Sequence, residues 1–257
     1  MNTNTLVKNK TSSGWIRNFS KRNSSAKMAL ICFPFAGGGA NIYRPWASFI
    51  NQDIDVSAIS LPGRESRILE KNIHHSDEVC EAIVAELIAD YWKKPIAFFG
   101  HSMGSMLAYE VAIRLQENYD WIPKLLLASG RQAPHKKIGG QLHLAADDIF
   151  INELKRLNGT PAAIFEDAEM RQIVLAILRA DYTLLETYRM NSKILLRAPI
   201  VTCCGTADPE VQVSEMKFWS ELTVMDCAHH VFDGGHFYLN THVKELTQLI
   251  NSLLERQ

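Results

Sequence analysis

The stretch "FFGHSMGSMLAYE", Phe98–Glu110, places a serine between glycines at the end of an apolar run. Gly100-His101-Ser102-Met103-Gly104 fits the pattern G-x-S-x-G. In a strand–turn–helix context that pattern marks a nucleophile held on a strained turn, with small neighbours needed to avoid steric conflict. Both flanks supply the context. Ile96–Phe99 reads as a buried strand, and a helix is predicted over Met103–Leu115. Gly104, Ala108 and Ala112 recur every four residues, so they share one helix face that can lie close against a sheet. Ser102 is therefore the candidate nucleophile rather than a plain loop serine.

Working outward, further strand-like runs fall at Met28–Phe33, Val56–Leu61, Leu125–Ser129 and Ile200–Cys204. Helical patterns fall at Tyr43–Phe49, Asp77–Tyr91 and His242–Leu254. Short buried strands alternating with helices predict an α/β class, a mostly parallel sheet covered on both faces. Between about 132 and 192 the alternation stops. Helices are expected at Ala145–Leu157 and Phe165–Tyr188, forming an all-helical lid inserted in the α/β domain.

A serine hydroxyl needs a base within hydrogen-bond reach, and in this kind of fold the partners follow in the order Ser, acid, His. "FDGGHFYL" offers His236 as the base. His74-His75 and His229-His230 are vicinal pairs without metal spacing and read as surface or packing residues. His101, inside the turn, is expected to shape it. Asp208 in "CGTADPE" directly follows a strand and is the favoured acid, with Asp233 as the alternative. For the oxyanion, one N–H is expected from Met103. The second is expected from the glycine-rich "FPFAGGGA", at Ala36. A phosphate loop is a poor reading of those glycines, because no Gly-Lys-Ser/Thr follows.

Composition narrows the classes. The 257 residues suffice for one domain with a substantial core, 47% hydrophobic and 21% charged. A net charge of -1 carries no signature of nucleic-acid binding. No apolar run reaches the roughly 18 residues of a membrane span. The five cysteines, Cys32, Cys80, Cys203, Cys204 and Cys227, form no C-x-x-C pair, so neither a zinc site nor a disulfide framework is expected. They fit a reducing cytoplasm, with Cys203 and Cys204 on opposite faces of one strand. Residues 1–27 hold six basic side chains and no acidic one. Residues 1–14 are expected to form a flexible basic leader, and 15–257 the α/β domain.

The chain resembles the type II (external, editing) thioesterases of nonribosomal peptide and polyketide synthesis, in the α/β-hydrolase superfamily. The stretches that carry the resemblance are "LICFPFAGGGANIYRPWA", "LPGRESR", "FFGHSMGSMLAYEVA", "LLLASGRQAPH", "LRADYTLLETYR", "CGTADP" and "GGHFYL". It implies hydrolysis of acyl thioesters from the phosphopantetheine arm of acyl- or peptidyl-carrier proteins, with no cofactor and no metal. It implies the Ser102, Asp208, His236 triad and the helical lid, and it supports Met103 and Ala36 as oxyanion donors. A cytoplasmic monomer is expected. Two departures stand out: Ser105 replaces a usual alanine, and "LAILRADY" lacks a usual proline. Acyl transfer or small-molecule ester hydrolysis by the same triad is the alternative. A non-enzymatic scaffold of this fold would be expected to lack part of the triad.

Overall fold

The computed structural model of the protein describes residues 14–20, 26–136 and 140–256. Residues 1–13, most of the expected leader, lie outside the described residues. Seven strands form one sheet: β1 (Ile16–Asn18), β2 (Met28–Phe33), β3 (Ile54–Ile59), β4 (Ile96–His101), β5 (Leu126–Ser129), β6 (Ile200–Gly205) and β7 (Cys227–Phe232). Their order is β1-β3-β2-β4-β5-β6-β7. Only β1 runs antiparallel to its neighbour; every other pair is parallel. The helices are α1 (Ser76–Tyr91), α2 (Met103–Tyr119), α3 (Asp147–Leu157), α4 (Ala162–Glu166), α5 (Ala168–Thr187) and α6 (Val243–Leu254).

Strand alternation splits the core into two layers. Ile31, Phe33 and Phe98 pack on one face with residues of α1 and α2. Leu30, Cys32 and Phe99 point to the other, against Trp46 and α6 residues such as Ile250. Cys204 joins the first layer and Cys203 the second, as the period of two requires. Continuous apolar runs are what a sheet buried on both faces demands.

Four details differ from the sequence reading. Strands β1 and β7 were not expected, because β1 is three residues long and β7 is the edge strand "CAHHVF", too polar to stand out. The His229-His230 pair thus belongs to an edge strand, where the His229 imidazole meets the Thr202 hydroxyl at 2.7 Å. The expected helix at Tyr43–Phe49 is a run of 3-10 turns, Ala40–Ser48, with Pro45 inside it; proline removes a donor from any α-helical ladder. The single helix expected over Phe165–Tyr188 breaks in two at Asp167. There the backbone turns extended and the side chain accepts the Met170 N–H at 2.9 Å, capping α5.

Between β5 and β6 the described residues hold helices and no strand. These helices carry their own small core of Phe150, Leu154, Phe165, Leu175 and Leu178. Among the described residues no helix is long and apolar enough to cross a membrane.

Candidate active site

β4 leaves the sheet at His101 and α2 begins at Met103, so Ser102 alone makes the turn. Its backbone sits at φ 51°, ψ -114°, a conformation that non-glycine residues adopt only when the surroundings enforce it. Three contacts do so. The Ser102 N–H donates to the Ser129 carbonyl at 2.8 Å. A Cβ on Gly104 would lie 2.0 Å from the Phe33 carbonyl oxygen, so only glycine lets α2 start this close to β2. Ser105 contributes the third: its hydroxyl lies 2.8 Å from the Gly100 and Ser129 carbonyls and accepts the Ser129 N–H at 3.0 Å. The residue that departs from the usual alanine thus ties the turn to β5.

His236 follows β7 on a loop that returns to the end of β6. The absent side chain of Gly205 permits this, since a Cβ there would lie 2.4 Å from both the Gly234 and Gly235 carbonyls. His236 Nδ1 lies 2.8 and 3.0 Å from the two carboxylate oxygens of Asp208. Both side chains are almost fully buried. Asp233 is exposed instead and accepts from the Thr206 hydroxyl at 3.1 Å. Of the two acids weighed from the sequence, Asp208 is the one that meets the imidazole.

Ser102, His236 and Ala36 line one cavity of about 230 Å³, together with Leu157 of α3 and Tyr182 and Leu185 of α5. Ala36 sits in a turn after β2. The Gly38 N–H donates to the Phe35 carbonyl at 2.8 Å, and Gly37 holds φ +79°. That is a type II turn, which needs glycine at its third residue.

The turn is gripped by two residues that carry no role in the sequence reading. Asp181 of α5 accepts the Gly37 N–H at 2.7 Å. Arg64 pairs with both carboxylate oxygens of Asp181 and donates to the Gly38 carbonyl at 3.1 Å. A signal existed: Asp181 shares a helix face with Ile177, Leu178 and Leu184, all buried. An acid on such a face needs a partner.

His101 packs beneath the site, its ring centroid 4.9 Å from that of His236. Its Nδ1 meets the Ser129 hydroxyl at 2.8 Å, and that hydroxyl meets the Tyr238 hydroxyl at 2.6 Å. Burial, and then the charge of His236, hold the His101 imidazole well below its ordinary pKa. It is a neutral, fixed floor, in keeping with the shaping role expected of it.

A parallel sheet with a serine on its strand-to-helix turn and a buried His–Asp pair from later strand ends defines an α/β-hydrolase. The chain belongs to the thioesterase domain family, whose profile matches residues 28–254. It is 38% identical over 218 residues to the gramicidin S biosynthesis protein GrsT of Aneurinibacillus migulanus, covering 84% of this chain and 85% of that protein. It is 32% identical to the thioesterase PikA5 of Streptomyces venezuelae, covering 93% and 85%. The solved structure of BorB, the type II thioesterase from the borrelidin biosynthetic cluster, superposes with a TM-score of 0.86. It is 38% identical, with 96% of this chain and 100% of that one covered.

Proposed function

We propose that the chain hydrolyses acyl thioesters from the phosphopantetheine arm of carrier proteins, freeing arms blocked by wrong or stalled acyl groups in nonribosomal peptide or polyketide synthesis. The observation that carries this reading is the His236–Asp208 pair, 2.8 Å apart, opening on the cavity that Ser102 lines. The identity to GrsT and to BorB supports the substrate class.

The mechanism follows from the donors and acceptors. An ionised carboxylate can only accept, so the His236 nitrogen facing Asp208, Nδ1, carries a proton and Nε2 is left as the base. Nε2 takes the Ser102 proton as the oxygen attacks the thioester carbonyl. Asp208 steadies the imidazolium without taking the proton. The N–H groups of Met103 and Ala36 receive the oxyanion. The neighbouring Gly37 N–H is already engaged by Asp181, which leaves Ala36 as the donor on the cavity side. The imidazolium proton passes to the departing pantetheine sulfur. Water then gives a proton to His236 and attacks the acyl-serine, releasing the free acid and Ser102. His101, held neutral, puts no second positive charge against the imidazolium. The helices of 132–192 act as the lid over this chemistry, within one α/β domain spanning 15–257.

The test is Ser102→Ala assayed on a carrier protein loaded with a radiolabelled acyl group. Loss of free-acid release is expected, and turnover like that of the unaltered protein would overturn the assignment.

A further inference from the structure

Arg131 stands two residues beyond β5 and is 6% exposed. It lines the same cavity as Ser102 and His236. Its backbone is anchored, the carbonyl accepting the Trp219 indole N–H at 2.8 Å. Its guanidinium is not. Nε is buried without a hydrogen-bond partner. Among the described residues, no ion pair or side-chain hydrogen bond engages the guanidinium. The other two buried arginines among the described residues differ: Arg64 is paired with Asp181, and Arg67 with Glu70.

Glu210 attracts the guanidinium electrostatically, but among the described residues no carboxylate hydrogen-bonds to it. Glu153 and Glu210 line the cavity, and both are held by Arg156, at 2.5 and 2.6 Å. Glu186 accepts the N–H groups of Leu142 and His143 and meets the His143 ring. Burial pushes the Arg131 guanidinium down to about 10, which leaves it cationic at neutral pH. A desolvated cation with up to five donors in a rigid fork requires an acceptor. The face it presents to the cavity is where a bound thioester would supply one.

We propose that Arg131 is a substrate-binding residue whose guanidinium receives a neutral carbonyl oxygen of the bound thioester, one other than the reacting carbonyl. The proposal rests on the thioesterase reading. A carbonyl fits better than a carboxylate, because Glu153, Glu186 and Glu210 on the same walls oppose a further negative charge. Two parts of the substrate carry such oxygens: an oxo group on the acyl chain, and the amides of the pantetheine arm.

The experiment compares the unaltered protein with Arg131→Met and Arg131→Lys on six thioesters. Butyryl and 3-oxobutanoyl groups are each carried on ethanethiol, N-acetylcysteamine and pantetheine, which hold none, one and two amides. If the acyl chain supplies the oxygen, the advantage of 3-oxobutanoyl over butyryl falls about tenfold or more in Arg131→Met on every thiol. If the arm supplies it, the advantage of pantetheine over ethanethiol falls by a similar factor for both acyl groups. Arg131→Lys keeps the charge without the fork and is expected to recover part of either ratio.

Equal fractional losses on all six substrates, or none, would overturn the proposal. So would a collapse in the Tm of both variants, because a structural role would appear as lost stability rather than as a changed substrate ratio. With malonyl-pantetheine as a seventh substrate, a malonyl preference that depends on Arg131 would overturn the neutral-carbonyl assignment. Failure of the unaltered protein to hydrolyse any thioester would instead remove the thioesterase reading on which the proposal rests.

Discussion

Asp181 grips Arg64 with both carboxylate oxygens, at 2.6 and 2.8 Å, across 117 positions of sequence. The pair is buried, at 2% and 6% exposure. It joins helix α5 to the turn that carries Ala36, since Asp181 also holds the Gly37 N–H. Burying two charges is costly, and a pair like this one gains little stability over an apolar pair of equal volume. What it supplies is a fixed position for the turn.

Breaking the pair should therefore be separable from replacing it. Asp181→Asn leaves Arg64 buried without its counter-charge and is expected to lower stability by about 3 kcal/mol or more. The double variant Arg64→Met/Asp181→Leu should regain much of that loss in urea unfolding. Its kcat should stay depressed, because nothing then holds Gly37. Full recovery of kcat would show that the turn keeps its position unaided.

The choice of acid is open to direct comparison. Asp208→Asn should cut kcat on the order of 10³–10⁴-fold, since the amide no longer fixes the imidazole tautomer. Asp233→Asn, altering an exposed contact to Thr206, should stay within about threefold of the unaltered protein. A larger loss at Asp233 than at Asp208 would reverse the assignment.

His101 links the site to pH-dependent stability. Its folded pKa lies below the ordinary value of about 6.5, chiefly through burial. Below that pH the unfolded chain takes up a proton that the native state refuses, so stability falls as pH drops. The slope from this one group is at most about 1.4 kcal/mol per pH unit. His101→Gln should show a shallower fall in stability between pH 6.5 and 5, measured by urea unfolding. An unchanged slope would mean that His101 is not the group responsible.

The cavity bounds the acyl group. An apolar cavity of about 150 Å³ admits benzene, and the space beside Ser102 is about 230 Å³. Butyryl thioesters should be turned over with kcat/KM about tenfold or more above dodecanoyl thioesters. Leu185→Ala, which enlarges the cavity, should narrow that ratio. A dodecanoyl preference in the unaltered protein would imply that α3 and α5 move aside to admit the chain.

The sequence by itself pointed to the five inner strands of the sheet, to the turn at Ser102 and to candidate partners for that serine. Those features are local: apolar runs that only a doubly covered sheet accommodates, a glycine on each side of the serine, and an aspartate placed directly after a strand. The chain order of serine, acid and histidine narrowed the partners to His236 with Asp208 or Asp233. Edge strands β1 and β7 were not legible, because edges are short and polar and need a neighbour to define them. The break at Asp167 was hidden by the apolar residues that run through it. Tertiary structure alone decided three further matters. It set His236 against Asp208 rather than Asp233, because chain return at Gly205 fixes which acid the ring meets. It paired Arg64 with Asp181, because burial forces distant charges together. It left Arg131 facing the cavity, and no spacing along the chain records which buried cation finds a counter-charge and which does not.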